Sequence, residues 1–160
     1  MTEQWQIAAN RRGVTRLALG RGAAPRSRSE VTKCSNDARA RAGQELRDYF
    51  AGRRRLFSVA CDISELTPFT QKVLRAAAKI PYGQVRSYKW LAGRLGKPKA
   101  ARAVGNALAR NPLPIIIPCH RVVRGDGGSG RFVLGSGWKK RLLELEKRFA
   151  KTEASSSNEA

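Results

Sequence analysis

The sequence predicts a mixed α/β protein of two lobes, an N-terminal lobe with a small sheet and a helix and a mainly helical C-terminal lobe. Residues 5–19 alternate apolar and polar side chains, which is typical of strands. Apolar residues recur at helical spacing in several later segments. Apolar residues and glycine together make up about half of the chain, the usual share in globular proteins. We expect the lobes at 1–64 and 65–150, and a disordered tail at 151–160.

The N-terminal lobe has four predicted segments. Two short strands flank a turn at Arg11-Arg12-Gly13. Residues 20–29 are rich in Gly, Pro, Arg and Ser and are predicted to form a loop. Apolar residues at helical spacing predict a helix over Ser35–Phe50, and the pattern of Leu56–Ile63 predicts a further strand.

The C-terminal lobe begins with a clear helix signal. Thr67 and Pro68 are typical N-cap and first-turn residues, so a helix should start there and end before Pro81-Tyr82-Gly83. Ser87 is the expected cap of a second, short helix over Tyr88–Leu95.

A third helix is predicted over Lys99–Arg110, after a turn at Lys97-Pro98. Two short helices joined by a tight turn form a helix-turn-helix unit. Small residues on the second helix would let it approach another surface closely. The alternative is a pair of packed amphipathic helices whose basic residues are only solvated.

The remaining segments surround one cysteine. Pro114–Pro118 is a rigid apolar run that leads into Cys119. Arg124–Gly137 contains six glycines and is predicted to be irregular; we call it the Gly-rich loop. It lacks the Lys-Ser/Thr pair of a phosphate-binding loop, which argues against nucleotide binding. Trp138–Phe149 is the last predicted helix.

The charge distribution favours nucleic acid as a partner. Lysine and arginine exceed aspartate and glutamate by 32 − 12 = 20. The 60 residues between Glu65 and Asp126 hold 12 basic residues and no acidic one. A lobe of one sign attracts polyanions. A generally basic proteome is the alternative explanation.

Cysteine and histidine content argues against a metal or disulfide framework. Cys34, Cys61 and Cys119 are widely spaced, and His120 is the only histidine. Four zinc ligands would need all of them. We therefore expect no metal and reduced thiols in a cytoplasmic protein. The longest apolar run, Leu113–Pro118, is far too short to span a bilayer, so no membrane segment is expected.

Cys119 is the strongest candidate for chemistry. A thiol attacks as the thiolate, and only a few per cent of free cysteine is ionised at neutral pH. His120 beside it offers a proton acceptor, and the basic lobe should lower the pKa of the thiol. The alternative is a buried cysteine that acts as a small apolar residue.

Four motifs in order resemble the O6-alkylguanine-DNA alkyltransferases. They are Ile80–Tyr88, Ala101–Gly105, Asn111–Pro114 and Ile117–Val123. The resemblance covers about residues 67–146 and implies a ribonuclease H-like N-terminal lobe and a winged helix-turn-helix-like unit. It also implies suicide repair, in which the alkyl group of a damaged guanine moves once to a protein cysteine without a cofactor.

The resemblance implies a role for each matching residue. Cys119 would be the alkyl acceptor, and His120 would take its proton, through a water, with Glu146 orienting the imidazole. Asn111 would tie the helix-turn-helix to the active-site turn. Tyr88 would donate a proton toward the leaving guanine. Arg102 would fill the stack vacated by a flipped nucleotide.

The same resemblance implies the contacts with double-stranded DNA, which would lie in the minor groove. The partner would be duplex DNA carrying O6-alkylguanine, bound by a monomer that could be cooperative on DNA. The expected DNA-contacting residues are Ser87, Tyr88, Lys99, Arg102, Ala103, Gly105, Arg110 and Arg124. The expected substrate pocket comprises Leu108, Val122, Phe132 and Val133.

Two departures from the family pattern concern the pocket. Phe132 replaces the usual tyrosine, so the ring could stack on guanine but has no hydroxyl. Arg131 places a charge at the pocket mouth. Two other functions remain open on the sequence: a non-enzymatic lesion binder, whose relatives lack the acceptor cysteine, and a Cys-His hydrolase.

Overall fold

The computed structural model describes residues 4–20 and 33–156. The chain divides into two compact units. The first comprises the residues up to Leu66 together with Pro112–Ile116, and the second comprises Thr67–Asn111 and the residues from Ile117 onward. The predicted boundaries place Pro112–Ile116 in the C-terminal lobe. The structure places these residues in the first unit, where the Leu17 amide donates to the Pro112 carbonyl at 2.8 Å.

The first unit is built on an antiparallel pair of strands. β1 (Trp5–Asn10) and β2 (Gly13–Leu19) pair on either side of Arg11-Arg12, as predicted, with a bulge at Ala8/Ala9. Gly13 has a φ of +144°, and a β-carbon there would lie 2.3 Å from the Ala60 carbonyl oxygen. The turn therefore requires glycine.

Helix α1 (Lys33–Phe50) packs on this pair of strands and confirms the predicted helix. Its Ala42, Leu46 and Tyr49 are buried, together with Val14 and Leu17 of β2. These side chains form the core of the first unit.

The strand predicted over Leu56–Ile63 is wrong. Among the described residues, this segment forms a single bridge, between Val14 and Cys61. The buried carboxylate of Glu45 accepts hydrogen bonds from the Ser58 and Val59 amides at 2.9 and 3.2 Å. Because these amides bond to a side chain, they do not take part in a strand ladder.

The second unit begins with two capped helices. α2 (Pro68–Ala78) is capped by Thr67, whose hydroxyl accepts from the Thr70 amide at 3.3 Å. β3 (Arg86–Ser87) leads directly into α3 (Tyr88–Arg94), and the Ser87 hydroxyl accepts from the Trp90 amide at 3.0 Å. Both predicted caps are confirmed.

Helix α4 (Ala101–Leu108) is shorter than the predicted Lys99–Arg110. A turn that bonds the Ala100 amide to the Lys97 carbonyl delays its start. At its end the Asn111 amide bonds to the Leu108 carbonyl, three residues back, which tightens the last turn. Helices α2, α3 and α4 pack together over a core that includes Val73, Leu74, Leu91, Val104 and Leu108.

The chain after Ile117 supplies the rest of the second unit. Cys119–Arg121 forms one 3₁₀ turn, and β4 (Val122–Val123) pairs in parallel with β3. Helix α5 (Ser136–Ser156) is longer than the predicted Trp138–Phe149, and the Gly-rich loop ends at Gly135. The predicted disordered tail is therefore wrong for residues 151–156, which continue the helix, and residues 157–160 lie outside the described residues.

The described part of the chain is thus a mixed α/β fold with two small two-stranded sheets and five α-helices. None of its helices is long and apolar enough to cross a membrane.

Candidate active site

The sulfur of Cys119 lies at the start of the 3₁₀ turn and is almost completely buried. The side-chain amide of Asn111 donates to this sulfur at 3.1 Å and to the Ile117 carbonyl at 3.0 Å. Asn111 is itself only 2% exposed. One amide group therefore fixes both the sulfur and the backbone that leads to it.

Burial raises the pKa of the Cys119 thiol to about 11, although Asn111 and the charge of Lys139 act in the opposite direction. The predicted effect of the basic lobe, a lowered pKa of the thiol, is therefore wrong. Removal from water outweighs the positive surroundings, because a buried thiolate loses its hydration. At neutral pH the resting sulfur is a thiol, and its use as a nucleophile requires a base.

His120 is the next residue in the chain and is fully buried. Its Nε2 lies 2.8 Å from Glu146 Oε1, and its Nδ1 has no hydrogen-bond partner among the described residues. Burial lowers the pKa of His120 and outweighs the opposing effect of Glu146, so the ring is neutral at pH 7. A carboxylate on Nε2 favours the proton on that nitrogen. Nδ1 is then the acceptor.

Glu146 holds the imidazole from helix α5. Besides His120, its carboxylate accepts from the Gly83 amide at 3.0 Å and from the Arg121 guanidinium at 2.8–3.1 Å. Burial alone would raise the pKa of Glu146, but the bonds from His120 and Arg121 prevail and hold it at about 2. The carboxylate is therefore ionised over the whole neutral range.

Arg121 is a site residue that the sequence analysis missed. It is 4% exposed, and it also donates to the Ile80 carbonyl at 2.7 Å. The available signal was a basic residue between His120 and the apolar Val122-Val123, since a charged residue among buried residues is usually paired.

Lys139 was missed as well. It is fully buried, and its ammonium donates to the Val122 carbonyl at 2.6 Å and lies 3.5 Å from the Arg131 carbonyl oxygen. Lys139, Leu142 and Glu146 follow the three-and-four spacing of one helix face, and all three are buried. That spacing could have identified it.

Tyr88 is half-buried and faces two glycines. A β-carbon on Gly105 would lie 3.6 Å from the Tyr88 ring, and one on Gly130 would lie 2.5 Å from its hydroxyl. Burial and the neighbouring Cys119 raise the pKa of the phenol, so it stays protonated and able to donate.

The residues expected to contact DNA lie mostly at the surface of the second unit. Lys99, Arg102, Ala103, Arg110 and Arg124 are exposed, whereas Ser87, Tyr88 and Gly105 are partly exposed. The Ser87 hydroxyl already caps α3. Arg124 is paired with Asp126 at 2.7 Å.

The four residues expected to line the substrate pocket differ in burial and in the groups they contact. Leu108 and Val122 are buried in the core of the second unit, and Val133 is 44% exposed. Phe132 packs edge-on against His120, with ring centroids 6.2 Å apart. The structure thus brings Phe132 together with the Cys119–His120–Glu146 group. In the described part of the chain, no three His, Cys, Asp or Glu side chains could hold a metal ion.

Comparisons with known proteins identify the family. The family model for the DNA-binding domain of 6-O-methylguanine DNA methyltransferase matches residues 68–148. A methylated-DNA–protein-cysteine methyltransferase from Mycobacterium leprae is 47% identical over 115 residues, which cover 70% of this chain and 67% of the relative. The chain belongs to the O6-methylguanine DNA methyltransferase family.

Other members of this methyltransferase family are similar to the chain in sequence or in fold. The constitutive methylated-DNA–protein-cysteine methyltransferase of Bacillus subtilis is 54% identical over 84 residues, which span about half of each chain, 52% of this one and 50% of the relative. The crystal structure of Mycobacterium tuberculosis OGT in complex with DNA gives a TM-score of 0.77 at 39% identity, covering 91% of this chain and 87% of that one. The methyltransferase of Methanococcus jannaschii gives a TM-score of 0.65 at 30% identity, covering 89% and 87%.

Proposed function

We propose that this protein repairs O6-alkylguanine in double-stranded DNA by moving the alkyl group to its own Cys119. The transfer occurs once per molecule and without a cofactor. The observation that carries the proposal is the arrangement Asn111–Cys119 beside His120–Glu146, with hydrogen bonds of 3.1 and 2.8 Å. The names of the relatives, methylated-DNA–protein-cysteine methyltransferases, support it.

The first step is loss of the thiol proton. The pKa of about 11 leaves Cys119 protonated at neutral pH. His120 accepts the proton at Nδ1, through a water as the resemblance implies, while Glu146 accepts the hydrogen bond from Nε2. The positive charge that forms on the ring is stabilised by the ionised carboxylate.

The second step is alkyl transfer. The thiolate attacks the alkyl carbon, the sulfur–carbon bond forms, and the bond between that carbon and O6 breaks. The electron pair of the broken bond stays on guanine, and the protonated phenol of Tyr88 donates a proton to it. The proton lost by Cys119 returns to Tyr88, so the products are an S-alkylcysteine and unmodified guanine.

DNA binding is inferred from the exposed and basic residues on and beside α4. O6 of a stacked guanine cannot reach a buried sulfur, so the nucleotide must be rotated out of the helix at a cost of a few kcal/mol. Arg102 is exposed on α4 and could occupy the vacated space, and the small residues Ala103 and Gly105 would let α4 approach a minor groove. Lys99 and Arg110, which flank α4, would contact phosphates.

Helices α3 and α4, with the short β3–β4 pair, are the parts that would form a winged helix-turn-helix-like unit. The first unit would be the ribonuclease H-like lobe. The protein would act as a monomer, in the cytoplasm and at the nucleoid.

Mass spectrometry after mixing with duplex DNA that contains one O6-methylguanine tests this proposal. We expect a gain of one methyl group, mapped to Cys119, and no turnover beyond one equivalent. An unchanged mass with retained binding would instead indicate a lesion-binding protein. Release of methanol with repeated turnover would indicate a hydrolase.

A further inference from the structure

Three neighbouring side chains on β3 and α3, Arg86, Trp90 and Arg94, form a cationic surface that the proposed function does not use. The Trp90 side chain is 41% exposed. The guanidinium carbons of Arg86 and Arg94 lie 5.3 and 5.7 Å from the centroid of its ring, within the range of a cation–π contact. One indole ring at the surface therefore contacts two positive charges. We call these residues the Arg–Trp–Arg cluster.

No carboxylate in the described part of the chain neutralises either arginine of the cluster. Arg86 donates to the Val85 carbonyl at 2.8 Å and to the side-chain oxygen of Gln84 at 2.7 Å, and both acceptors are uncharged. The Arg94 guanidinium forms no hydrogen bond or ion pair with a described residue, and its aromatic contact is with Trp90. The cluster lies within the 60-residue segment that has no acidic residue. Its two positive charges are thus available to an anion from outside.

The cluster is built on regular secondary structure. Arg86 is in β3, where it pairs with Val122 of β4, and Trp90 and Arg94 are four residues apart on one face of α3. The Trp90 amide donates to the Ser87 hydroxyl that caps this helix. The indole and both guanidinium groups are therefore positioned before a ligand arrives, which reduces the conformational entropy lost on binding.

The chemistry of the cluster fits DNA phosphates. A guanidinium presents a planar fork of N–H donors that matches phosphate oxygens, and the indole adds one more donor. In helix-turn-helix proteins the first helix crosses the DNA backbone while the second enters a groove. Helix α3 is the first helix of the unit in which α4 would be the second. No residue of the cluster is among those that the family resemblance implies as DNA contacts.

We propose that the Arg–Trp–Arg cluster binds the phosphate backbone of duplex DNA beside the groove that α4 enters, and that Trp90 acts by holding the two guanidinium groups in place. This inference rests on the proposed function for its biological context, but the binding itself needs neither a lesion nor the sulfur. Phosphate contacts carry no sequence information, so the cluster would act on any sequence. Each phosphate that is neutralised contributes about −0.9 to the slope of the logarithm of the binding constant against the logarithm of the salt concentration.

The first experiment measures this slope for the full chain with lesion-free duplex DNA. In the double variant Arg86→Gln, Arg94→Gln we expect the slope to become shallower by about two, because two phosphate contacts are lost. The matched control is the double variant Arg75→Gln, Arg148→Gln, which removes two exposed arginines on α2 and α5 and should leave the slope near its wild-type value. Arg148 also lies over an aromatic ring, that of Phe149, at 5.5 Å. An equal change in both double variants would assign the effect to net charge and overturn the proposal.

Variants of Trp90 test the role of the ring, since they remove no charge. Trp90→Ala should make the slope shallower by about one, because the guanidinium groups lose the surface that orders them. Trp90→Phe keeps an aromatic face and should retain the wild-type slope. Both positions of the ring and its partners are at the surface, and a thermal melt checks that each variant is folded. A wild-type slope in Trp90→Ala would overturn the role assigned to the ring.

The second experiment follows tryptophan emission while the same duplex is added. The chain has three tryptophans, and we expect the change in emission to be lost in Trp90→Phe and kept in the control Trp138→Phe, whose ring also lies under an arginine, Arg141, at 4.7 Å. Poly-glutamate is titrated in parallel. A change at Trp90 that poly-glutamate causes at lower concentration than the duplex would overturn the proposal in favour of an acidic protein partner.

The two kinds of failure are distinguishable, because lesion-free DNA gives no alkyl transfer. Methyl gain at Cys119 together with a wild-type slope in the Arg86→Gln, Arg94→Gln variant would refute this inference and leave the proposed function intact. The expected slopes without any methyl gain from O6-methylguanine DNA would support the cluster as a DNA contact and refute the proposed function.

Discussion

Asn111 and Cys119, eight residues apart in the chain, are joined by a hydrogen bond of 3.1 Å from the side-chain amide to the sulfur. The same amide nitrogen donates to the carbonyl of Ile117, two residues before the sulfur. Asn111 lies three residues after the last residue of α4, so the segment that leaves this helix and the turn that holds Cys119 share one polar side chain. A group added to the sulfur would therefore disturb Asn111 and, through it, the segment that leaves α4.

Replacement of Asn111 by alanine should slow the chemistry and destabilise the protein. The sulfur loses its donor, which raises the thiol pKa further, and a buried carbonyl loses a partner, which typically costs about 1–3 kcal/mol. The pH profile of iodoacetamide reactivity and a urea titration measure the two effects. Asn106→Ala, at an exposed position of α4, is the control and should behave as wild type. Equal behaviour of the two variants would contradict the role of Asn111.

Alkylation of Cys119 should itself lower the melting temperature. Added carbon crowds a well-packed site and displaces the Asn111 bond, and overpacking typically costs about 1–3 kcal/mol. Thermal melts of unmodified, methylated and benzylated protein should therefore show falling midpoints in that order. Constant or rising midpoints would mean that the added carbon finds room beside the sulfur without displacing its neighbours.

Gly130→Ala should impair alkyl transfer from DNA much more than Gly127→Ala. Both glycines have positive φ, +71° and +85°, so both substitutions strain the Gly-rich loop. Only at Gly130 would the new β-carbon meet another group, the Tyr88 hydroxyl at 2.5 Å, whereas nothing lies within 4 Å at Gly127. The rate of methyl transfer in single-turnover assays compares the two. Similar rates would show that the contact with Tyr88 does not matter for the reaction.

Glu146→Gln should remove a contribution to stability that depends on pH. The pKa of about 2 in the folded protein lies below the ordinary value for glutamate, so the contribution is complete above about pH 4.5 and is lost as the pH falls toward 2. The difference between these pKa values corresponds to roughly 3 kcal/mol at neutral pH. Urea titrations at pH 7 and pH 3 should show a gap between wild type and variant that narrows in acid. Glu144→Gln, at a position 67% exposed, serves as the control, and a gap that persists undiminished at pH 3 would refute the assignment.

Cys119→Ala should abolish alkyl transfer and leave DNA affinity largely intact, because the sulfur is buried and the basic residues are at the surface. Residual transfer in the variant, or label on Cys34 or Cys61, would mean that the nucleophile is another cysteine.

DNA binding should weaken steeply with salt, with a slope of about −3 to −6 for the logarithm of the binding constant against the logarithm of the salt concentration if several phosphates are neutralised. A slope near zero would mean that the basic residues between Glu65 and Asp126 do not neutralise DNA phosphates.

Local signals in the sequence predicted much of the fold. Thr67 and Ser87 carry their own capping chemistry, and the Arg11–Gly13 turn is set by a glycine, so these features need no knowledge of distant residues. The prediction of a strand over Leu56–Ile63 was wrong because the Glu45 carboxylate, 13 residues from Ser58 in the chain, accepts hydrogen bonds from the Ser58 and Val59 amides. A long-range bond of this kind has no local signature.

The residues of the candidate site were likewise predicted only in part. The motif around Cys119 and His120 predicted a reactive pair, and the resemblance supplied Glu146, which the structure places 2.8 Å from the imidazole. Lys139 and Arg121 were missed because lysine and arginine usually lie at the surface. The raised pKa of the thiol also escaped prediction, since burial depends on packing of the whole unit rather than on neighbours in the chain.

The burial of His120 against Glu146 and Phe132 has a spectroscopic consequence, because it is the only imidazole among 160 residues. Its ring signals in a proton or nitrogen NMR spectrum need no assignment by mutagenesis. The tautomer and the protonation state of the ring can each be followed on one isolated pair of resonances. The edge-on phenyl ring of Phe132 should shift those resonances by its ring current, so the same spectrum also reports whether the Gly-rich loop stays in place during the reaction.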